Sequence, residues 1–530
     1  MITSTMLYFF FSFLYAISTT SALNILVHSP AYAASHTNFM ARLADTLTEA
    51  GHNVTFLVPI AVEERRDKLG VEVTKDVIIV EQDDEMKRLL KPTTGSIEFL
   101  WIIEMGSSDI DTMLSWYNDI MELTCANFMR NKKVIDELQS RNFDVAIAEP
   151  FTICGLGIFE KLKIKKTILV SSCVHYDFML PHIGEPEDFA SVPTLSSKIG
   201  EEMSLAEKWE NYRLVEETKK SLAKLFDAET RIYRASFGEE IRDWKQLMAS
   251  ASLYFTNSNP FIDYPRASIQ KTVPIGGITV DLEKIRSQKL SKEWEEVMNK
   301  RDLAMLISFG STVPSAVMPA VWKLGVLSAI KSLPKVTFIW KYESDDVSFA
   351  EGVSNIHFSK WVPQTALLAD PRLTAFLTHG GLGSTNELAY SGKPAVMVPI
   401  YGDQTRNANM LARHGSVIVL HKTDLADKEK VLSAVKSVLY QEKYRENAAR
   451  IAEMLANQPK QPKETVVKYT EFVAKYGPFP QMDPYGRKLN YFQRNFLDIY
   501  GLVALAGLTV LLILMLCVRL ISSCIKMKKD

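Results

Sequence analysis

The chain has 530 residues, with 61 Lys plus Arg against 62 Asp plus Glu and a formal charge of −1. A hydrophobic share of 47 % with 23 % charged residues describes a globular chain of roughly two to four domains and excludes a wholly disordered or fibrous protein. Near-zero charge excludes a general nucleic-acid binder, and five cysteines over this length cannot be a disulfide framework.

The apolar run 7–17 has the length of a signal-peptide core, and Thr20-x-Ala22 suits cleavage after Ala22, giving a signal peptide over 1–22. No Lys or Arg precedes the run, so a buried N-terminal element is the competing reading. Residues 24–27 then read as a buried strand, and Phe39, Met40, Leu43 and Leu47 recur at helical spacing until Gly51. Further strands are expected at 54–58, 144–148 and 167–171. A βαβ rhythm with continuous apolar strands predicts a parallel sheet covered on both faces. Residues 185–245 are helix-rich and acidic, as an insertion in this first domain would be.

Residues 281–302 are highly charged and separate two series, reading as a linker plus an exposed helix. The second series has strands at 304–309, 336–342, 356–359, 375–378, 395–399 and 416–420, with Gly392 and Gly415 as helix stops. Helices continue to about 495, and no internal repeat is found. Residues 499–518 carry no charge and are long enough to cross roughly 30 Å of hydrocarbon. Arg519, Lys526, Lys528 and Lys529 follow, so the positive-inside rule puts the tail in the cytosol and the body on the other side. Lys526 and Lys528 resemble an endoplasmic-reticulum retrieval tag; a plain basic flank is the alternative. Of Cys125, Cys154 and Cys173 at least one is unpaired, and Cys154, beside a buried strand, is expected to be an inert core thiol. The sequon at Asn53 opens a predicted buried strand, which argues against glycosylation there.

In parallel α/β sheets ligands sit at the carboxyl ends of the strands. Two such domains facing each other form a cleft, and the densest chemistry lies at its expected edge: WVPQ from Trp361, THGGLGSTNELAYSGKP from Thr378, and PIYGDQTRNAN from Pro399. After the strand 375–378 comes His379, and Gly380, Gly381 and Gly383 let the backbone turn and approach a ligand. A helix then starts near Ser384, where free N–H groups attract an anion, and His379 and Ser384 add donors. Glu387, one turn on, can take two ribose hydroxyls; Trp361 offers a flat face for a base and Gln364 an edge-reading amide; Asp403 and Gln404 can meet hydroxyls beyond the phosphates. Together they fit a nucleotide sugar, though each alone has a bland structural reading. No dinucleotide fingerprint, Walker lysine or nucleophile elbow is present. Asp109 and Asp111 are a weak metal motif and read better as solvent-facing. In the first domain Ser35-His36 opens a helix after the first strand, and Glu149 ends the strand 144–148, so the pair suits a general base and its carboxylate partner.

This constellation resembles the UDP-glycosyltransferase superfamily, most closely its membrane-bound UDP-glucuronosyltransferase branch, from Ile25 to the tail. Phe255-Thr-Asn-Ser-Asn-Pro260, Ile275-Gly-Gly-Ile278 and Ile307-Ser-Phe-Gly-Ser311 match as well. The resemblance implies an α/β, GT-B fold: two Rossmann-like domains facing a cleft, plus one C-terminal transmembrane helix. The division is then 1–22 signal peptide, 23–280 acceptor domain, 281–302 linker, 303–476 UDP-sugar domain, 477–498 juxtamembrane helices, 499–518 membrane span and 519–530 cytosolic tail. It implies an inverting, metal-independent hexosyltransferase that moves a sugar from a UDP-sugar co-substrate, with no cofactor, to a hydroxyl of a small lipophilic acceptor. His36 would be the base and Glu149 its partner; Ser311, His379, Gly381, Gly383 and Ser384 would hold the diphosphate. Trp361 and Gln364 would hold uracil, Glu387 the ribose, and Asp403 with Gln404 the sugar. It also implies an endoplasmic-reticulum membrane protein of type I with a luminal body; a homo-oligomer is left open. Two residues depart from the family pattern: Glu149 stands where Asp is usual, and Gly383 where Asn is usual. A glucuronate carboxylate needs a cation, for which Arg266 and Arg406 are candidates, and 99–103 could line a lipophilic pocket or form core. A UDP-glucosyltransferase of the same mechanism and a nucleotide-sugar-binding pseudoenzyme are the alternatives; a single-pass receptor is disfavoured by the short tail.

Overall fold

The computed structural model describes residues 22–90, 98–103 and 107–528, with the side chains of 107–113, 284, 286 and 526 set aside. The expected signal peptide and the side chains of Asp109 and Asp111 therefore lie outside the described residues.

Two all-parallel sheets carry the fold. The first holds β1 (Asn24–His28), β2 (Asn53–Pro59), β3 (Asp76–Val80), β4 (Val145–Ala148), β5 (Thr167–Ser171), β6 (Leu253–Thr256) and β7 (Thr272–Pro274), in the order β3-β2-β1-β4-β5-β6-β7. The second holds β8 (Leu303–Ser308), β9 (Val336–Lys341), β10 (Ile356–Ser359), β11 (Leu373–Thr378), β12 (Ala395–Met397) and β13 (Val417–Val419), in the order β10-β9-β8-β11-β12-β13. Both orders reverse once, between β1 and β4 and between β8 and β11. Each sheet is buried on two faces: Ile25 and Val27 enter one core cluster while Leu26 enters the other, as the strand period of two requires. The strands β3, β6 and β7 are not anticipated by the sequence reading; β3 and β7 are partly exposed and short apolar runs of their kind carry little signal.

Four further differences have physical causes. The charged stretch 281–302 is not an exposed helix: helix Lys292–Met298 turns Trp294, Val297 and Met298 into the second domain's core. Helix Pro462–Tyr476, expected with the second domain, packs on the first sheet through Val466, Val473 and Ala474. Lys463 bonds Asp281 at 2.5 Å and His52 faces Glu471 at 3.4 Å, fixing that return. Cys154 is not an inert thiol: it forms a disulfide with Cys125, tying helix Cys154–Lys161 to helix Ser107–Arg130, and Cys173 is free. Asn53 is exposed at the start of β2, so its position in the strand does not hide it.

Helix Leu205–Phe237 fills the middle of the helix-rich stretch expected at 185–245. Ser204 caps it, exchanging bonds with Glu207 in a capping box. Its Glu229 is fully buried and accepts hydrogen bonds from the Thr152 hydroxyl and from Ile153 N at 2.7 Å. The C-terminal helix Leu497–Met527 contains a stretch, Leu497–Ile525, long and apolar enough to cross a membrane, and its side chains are exposed throughout.

Burial raises the Glu229 carboxyl to about 8, against the weaker opposing pull of its Thr152 and Ile153 bonds. Above the ordinary carboxyl range the folded state therefore binds more protons than the unfolded chain, and stability falls as pH rises toward that value. Denaturation midpoints measured from pH 5 to 9 are expected to decline in the wild type and to run flatter in Glu229→Gln.

Candidate active site

Where strand order reverses, the chain segments leaving the two strands diverge to opposite faces and leave a crevice at their carboxyl ends. His36 enters that crevice in the first domain on helix Ala34–Glu49, just after β1, and Glu149 is the residue that follows β4. Registry places His28 opposite Ala148, so the two departing segments start side by side.

His36 Nδ1 lies 2.8 Å from Glu149 Oε2 and 2.8 Å from Ser172 Oγ. The other carboxylate oxygen, Oε1, accepts from Ser172 N at 2.8 Å and from the Tyr176 hydroxyl at 2.6 Å. A carboxylate only accepts, so Nδ1 carries the proton and Nε2 is left as the basic nitrogen. Burial would push the Glu149 carboxyl up, but the His36 charge and hydrogen bond, with those of Ser172 and Tyr176, outweigh it and hold the group below its usual range. The imidazole is flanked by Tyr32, with ring centroids 4.8 Å apart, and by Phe151 at 5.7 Å.

In the second domain β8 runs into Gly310 and Ser311, and β11 into His379, Gly380 and Gly381. Gly381 caps helix Leu382–Ser391, whose first turn presents Gly383 and Ser384. A Cβ on Gly381 would stand 2.6 Å from His379 Nε2, and one on Gly310 2.6 Å from the same atom, so the imidazole lies packed between two glycines. Gly380 has φ +83°, which glycine adopts without strain. Burial, with the nearby Lys341 charge, lowers His379 to about 4, so it is a neutral donor at physiological pH. Glu387 Oε2 accepts from Gln364 Nε2 at 2.5 Å and Oε1 from the Thr365 hydroxyl at 2.8 Å; Gln364 also reaches Ser384 Oγ at 3.1 Å. Burial raises the Glu387 carboxyl despite these bonds. Trp361 is 72 % exposed, a free platform rather than core. Asp403 caps helix Gln404–Ala412 and accepts from Asn407 Nδ2 at 2.8 Å. Gln404 Oε1 is held by Ile400 N and Tyr401 N at 2.8 and 3.1 Å, which leaves its amide nitrogen for a ligand.

The two halves meet. His36, Ser311, Trp361, Gln364, His379, Gly381, Gly383, Ser384, Glu387, Asp403 and Gln404 all line one cavity of about 2490 Å³, and Glu149 lies just behind it, buried under His36. Asp403 is near enough to His36 to feel its charge; burial raises the Asp403 carboxyl, and His36 counters part of that rise. Asn386 to Asn257 at 3.3 Å and Arg406 to Asp263 at 2.8 Å close the floor between the domains.

Sequence reasoning did not single out Ser172, Tyr176 or Lys341. Ser172 and Lys341 each sit at the carboxyl end of a strand, β5 and β9, which was the available signal. Lys341 is buried, donates to Gly310 O at 2.6 Å, pairs with Glu343 Oε1 at 3.2 Å and lies 5.6 Å from the Trp361 ring centroid, so an ammonium stands between that ring and the Gly310 turn. Arg266 and Arg406 lie elsewhere: both are buried in ion pairs, with Asp177 and Asp263, and neither lines the cavity. Among the described residues no cluster of three or more His, Cys, Asp or Glu side chains is disposed to hold a metal ion.

A family model described as "UDP-glucoronosyl and UDP-glucosyl transferase" matches residues 24–530. The Caenorhabditis elegans protein named "Putative UDP-glucuronosyltransferase ugt-56" is 30 % identical over 472 residues, covering 87 % of this chain and 88 % of that one. Human UDP-glucuronosyltransferase 1A9 is 24 % identical over 491 residues, 91 % of this chain and 89 % of its own. Among solved structures, the glycosyltransferase VinC in complex with DTDP aligns with TM-score 0.57 at 15 % identity, over 86 % of this chain and all of that one. A UDP-glucosyltransferase from Polygonum tinctorium aligns with TM-score 0.57 at 14 % identity, over 87 % of this chain and 100 % of its own. These likenesses are to the GT-B fold.

Two glycines separate ligand contact from packing. Gly381→Ala is expected to displace His379 and weaken UDP binding by about tenfold or more, measured by titration calorimetry. A Cβ at Gly383 meets nothing within 4 Å, so Gly383→Asn is expected to bind UDP about two- to tenfold more tightly, through one added donor.

Proposed function

The chain belongs to the UDP-glucuronosyl and UDP-glucosyl transferase family, and we propose that it transfers glucuronate from UDP-glucuronate to a hydroxyl of a small lipophilic acceptor. The observation that carries the chemistry is the 2.8 Å contact of His36 Nδ1 with Glu149 Oε2, at a cavity shared with the donor-binding residues. With Nδ1–H given to the carboxylate, His36 Nε2 takes the acceptor's hydroxyl proton, and Glu149 stabilises the imidazolium that results. The acceptor oxygen attacks the anomeric carbon from the side opposite the leaving group, so the bond to UDP breaks as the new bond forms and the configuration inverts. UDP departs with its charge met by Ser311, His379, Ser384 and the N-terminus of helix Leu382–Ser391, with Lys341 close by. Trp361 carries the uracil, Glu387 the ribose hydroxyls, and Asp403 with Gln404 the sugar hydroxyls. The protein supplies every group this scheme uses, and no metal or cofactor enters it.

The lining of the first-domain side supports a lipophilic acceptor: Leu114, Tyr117, Phe151, Phe178 and Leu214 face the cavity. UDP-glucose is the second reading of the donor, favoured by one observation. Arg266 and Arg406 are committed to buried ion pairs, so neither offers its charge to a glucuronate carboxylate.

We also assign the catalytic body to the endoplasmic-reticulum lumen. Two independent features support that side of the membrane: the Cys125–Cys154 disulfide belongs in an oxidising compartment, and the basic residues lie on the far side of the apolar helix.

Membrane preparations offered UDP-glucuronate and UDP-glucose separately, with a panel of phenols and product mass measured, test the donor. Conjugates carrying glucose alone would reverse the assignment. His36→Ala is expected to lower kcat by about 10²- to 10⁴-fold with little change in UDP affinity. Wild-type turnover in that variant would remove the base from the mechanism.

A further inference from the structure

One wall of the cavity comes from neither sheet. Helix Phe99–Ile102 with Ile103 belongs to the first domain by chain order, and Phe99, Leu100 and Ile103 line the cavity. Its packing belongs to the second domain. Trp101 is 0 % exposed within the core cluster of Met305, Phe309 and Trp322, and its indole N–H donates to Pro314 O at 3.1 Å. Its ring meets that of Phe309 edge-on with centroids 5.0 Å apart. Phe309 and Pro314 flank Gly310 and Ser311, the turn at the diphosphate site. A second tie lies beyond Trp101: the Lys422 ammonium donates to Ile103 O and, at 3.2 Å, to Ile400 O. Ile400 in turn donates its N–H to Gln404, so this tie runs into the turn that carries Asp403 and Gln404.

A cavity-facing segment of the first domain is thus tied to both donor turns of the second. Burying an indole removes about 150–250 Å² from water, so the wall cannot swing away without re-exposing that surface and breaking the bond to Pro314. We propose that Trp101 is a positioning residue that pins the acceptor wall to the donor turns, so that acceptor selectivity is set jointly by both domains and acceptor and UDP bind cooperatively. This rests on the reading that the acceptor occupies the first-domain side of the cavity. Coupling of this kind is reciprocal: what the acceptor does to UDP affinity, UDP does to acceptor affinity.

The test uses the full-length protein in membranes or detergent, with a one-ring and a three-ring phenol as acceptors. Trp101→Ala is expected to raise acceptor KM by about tenfold or more while UDP affinity measured without acceptor moves less than about threefold, and to alter the ratio between the two phenols. Trp101→Phe keeps a ring but loses the bond to Pro314, and is expected to raise acceptor KM by about threefold. In calorimetry the phenol is expected to tighten UDP binding in the wild type and not in Trp101→Ala. If Trp101→Ala fails to fold, Trp101→Phe carries the measurement. Acceptor KM unchanged in a variant that binds UDP normally would overturn the proposal, as would an equal loss of UDP affinity measured without acceptor, or UDP affinity indifferent to phenol in the wild type. The calorimetric arm needs no turnover, so a wild type that couples the ligands without releasing UDP counts against the transferase reading and not against this one.

Discussion

A buried carboxylate that must stay ionised governs the first domain. Glu149 lies inside the protein at the end of β4, where burial alone would protonate it. Four contacts oppose this: His36 and Ser172 N and the Tyr176 hydroxyl bond it directly, and Ser172 Oγ holds the same imidazole nitrogen. The ionised carboxylate fixes the tautomer of His36, and the tautomer leaves Nε2 as the nitrogen without a proton. The free lone pair at Nε2 is therefore a consequence of how Glu149 is solvated by protein. The helix Leu205–Phe237 takes part at one remove: its Glu229 holds Ile153 N, in the turn that leads away from Glu149.

On the proposed function, the second domain handles the opposite problem, an anionic ligand in a chain of charge −1. A surplus of basic residues is unnecessary because the donors are local. The helix N-terminus at Gly381, a neutral His379 and the Ser311 and Ser384 hydroxyls supply oriented dipoles, and Lys341, paired with Glu343, adds an ammonium beside the Gly310 turn. A histidine kept neutral by burial can give a hydrogen bond without adding charge of its own, and glycines on both sides let the imidazole pack tightly against the turn.

Much of this was legible because it is local in the sequence. The strands β1, β5 and β10 follow from apolar runs alone, and the turn from His379 to Glu387 follows from glycine, helix start and spacing. What was hidden depends on strand order. Ser172 and Tyr176 become partners of Glu149 only because β5 pairs with β4, and nothing in the sequence near Ser172 says so. Lys341 is one lysine among many until β9 places it beside the Gly310 turn. The misplacements share a cause: charged residues on 281–302 conceal an apolar face of the helix Lys292–Met298, and helix Pro462–Tyr476 packs on helix Ala34–Glu49, more than 400 residues upstream, and on β4. Cys154 pairs with Cys125 through helix packing that spacing does not reveal.

The two departures from the family pattern can then be weighed on geometry. A glutamate reaches one methylene further than an aspartate, and reach matters only if the partner is fixed. Here the carboxylate still meets His36 Nδ1 at 2.8 Å with both oxygens bonded, so the added length is absorbed by how the side chain is seated between Ser172 and Tyr176. Gly383 removes a side-chain donor and leaves its neighbours untouched, since nothing packs within 4 Å of where a Cβ would stand. A chain drifting toward pure binding would be expected to lose the costly feature first, the buried charge and its three donors. That feature is intact, and it has no use in holding a nucleotide sugar: it lies on the other side of the cleft, bonded to Nδ1 of the imidazole whose Nε2 would take a proton.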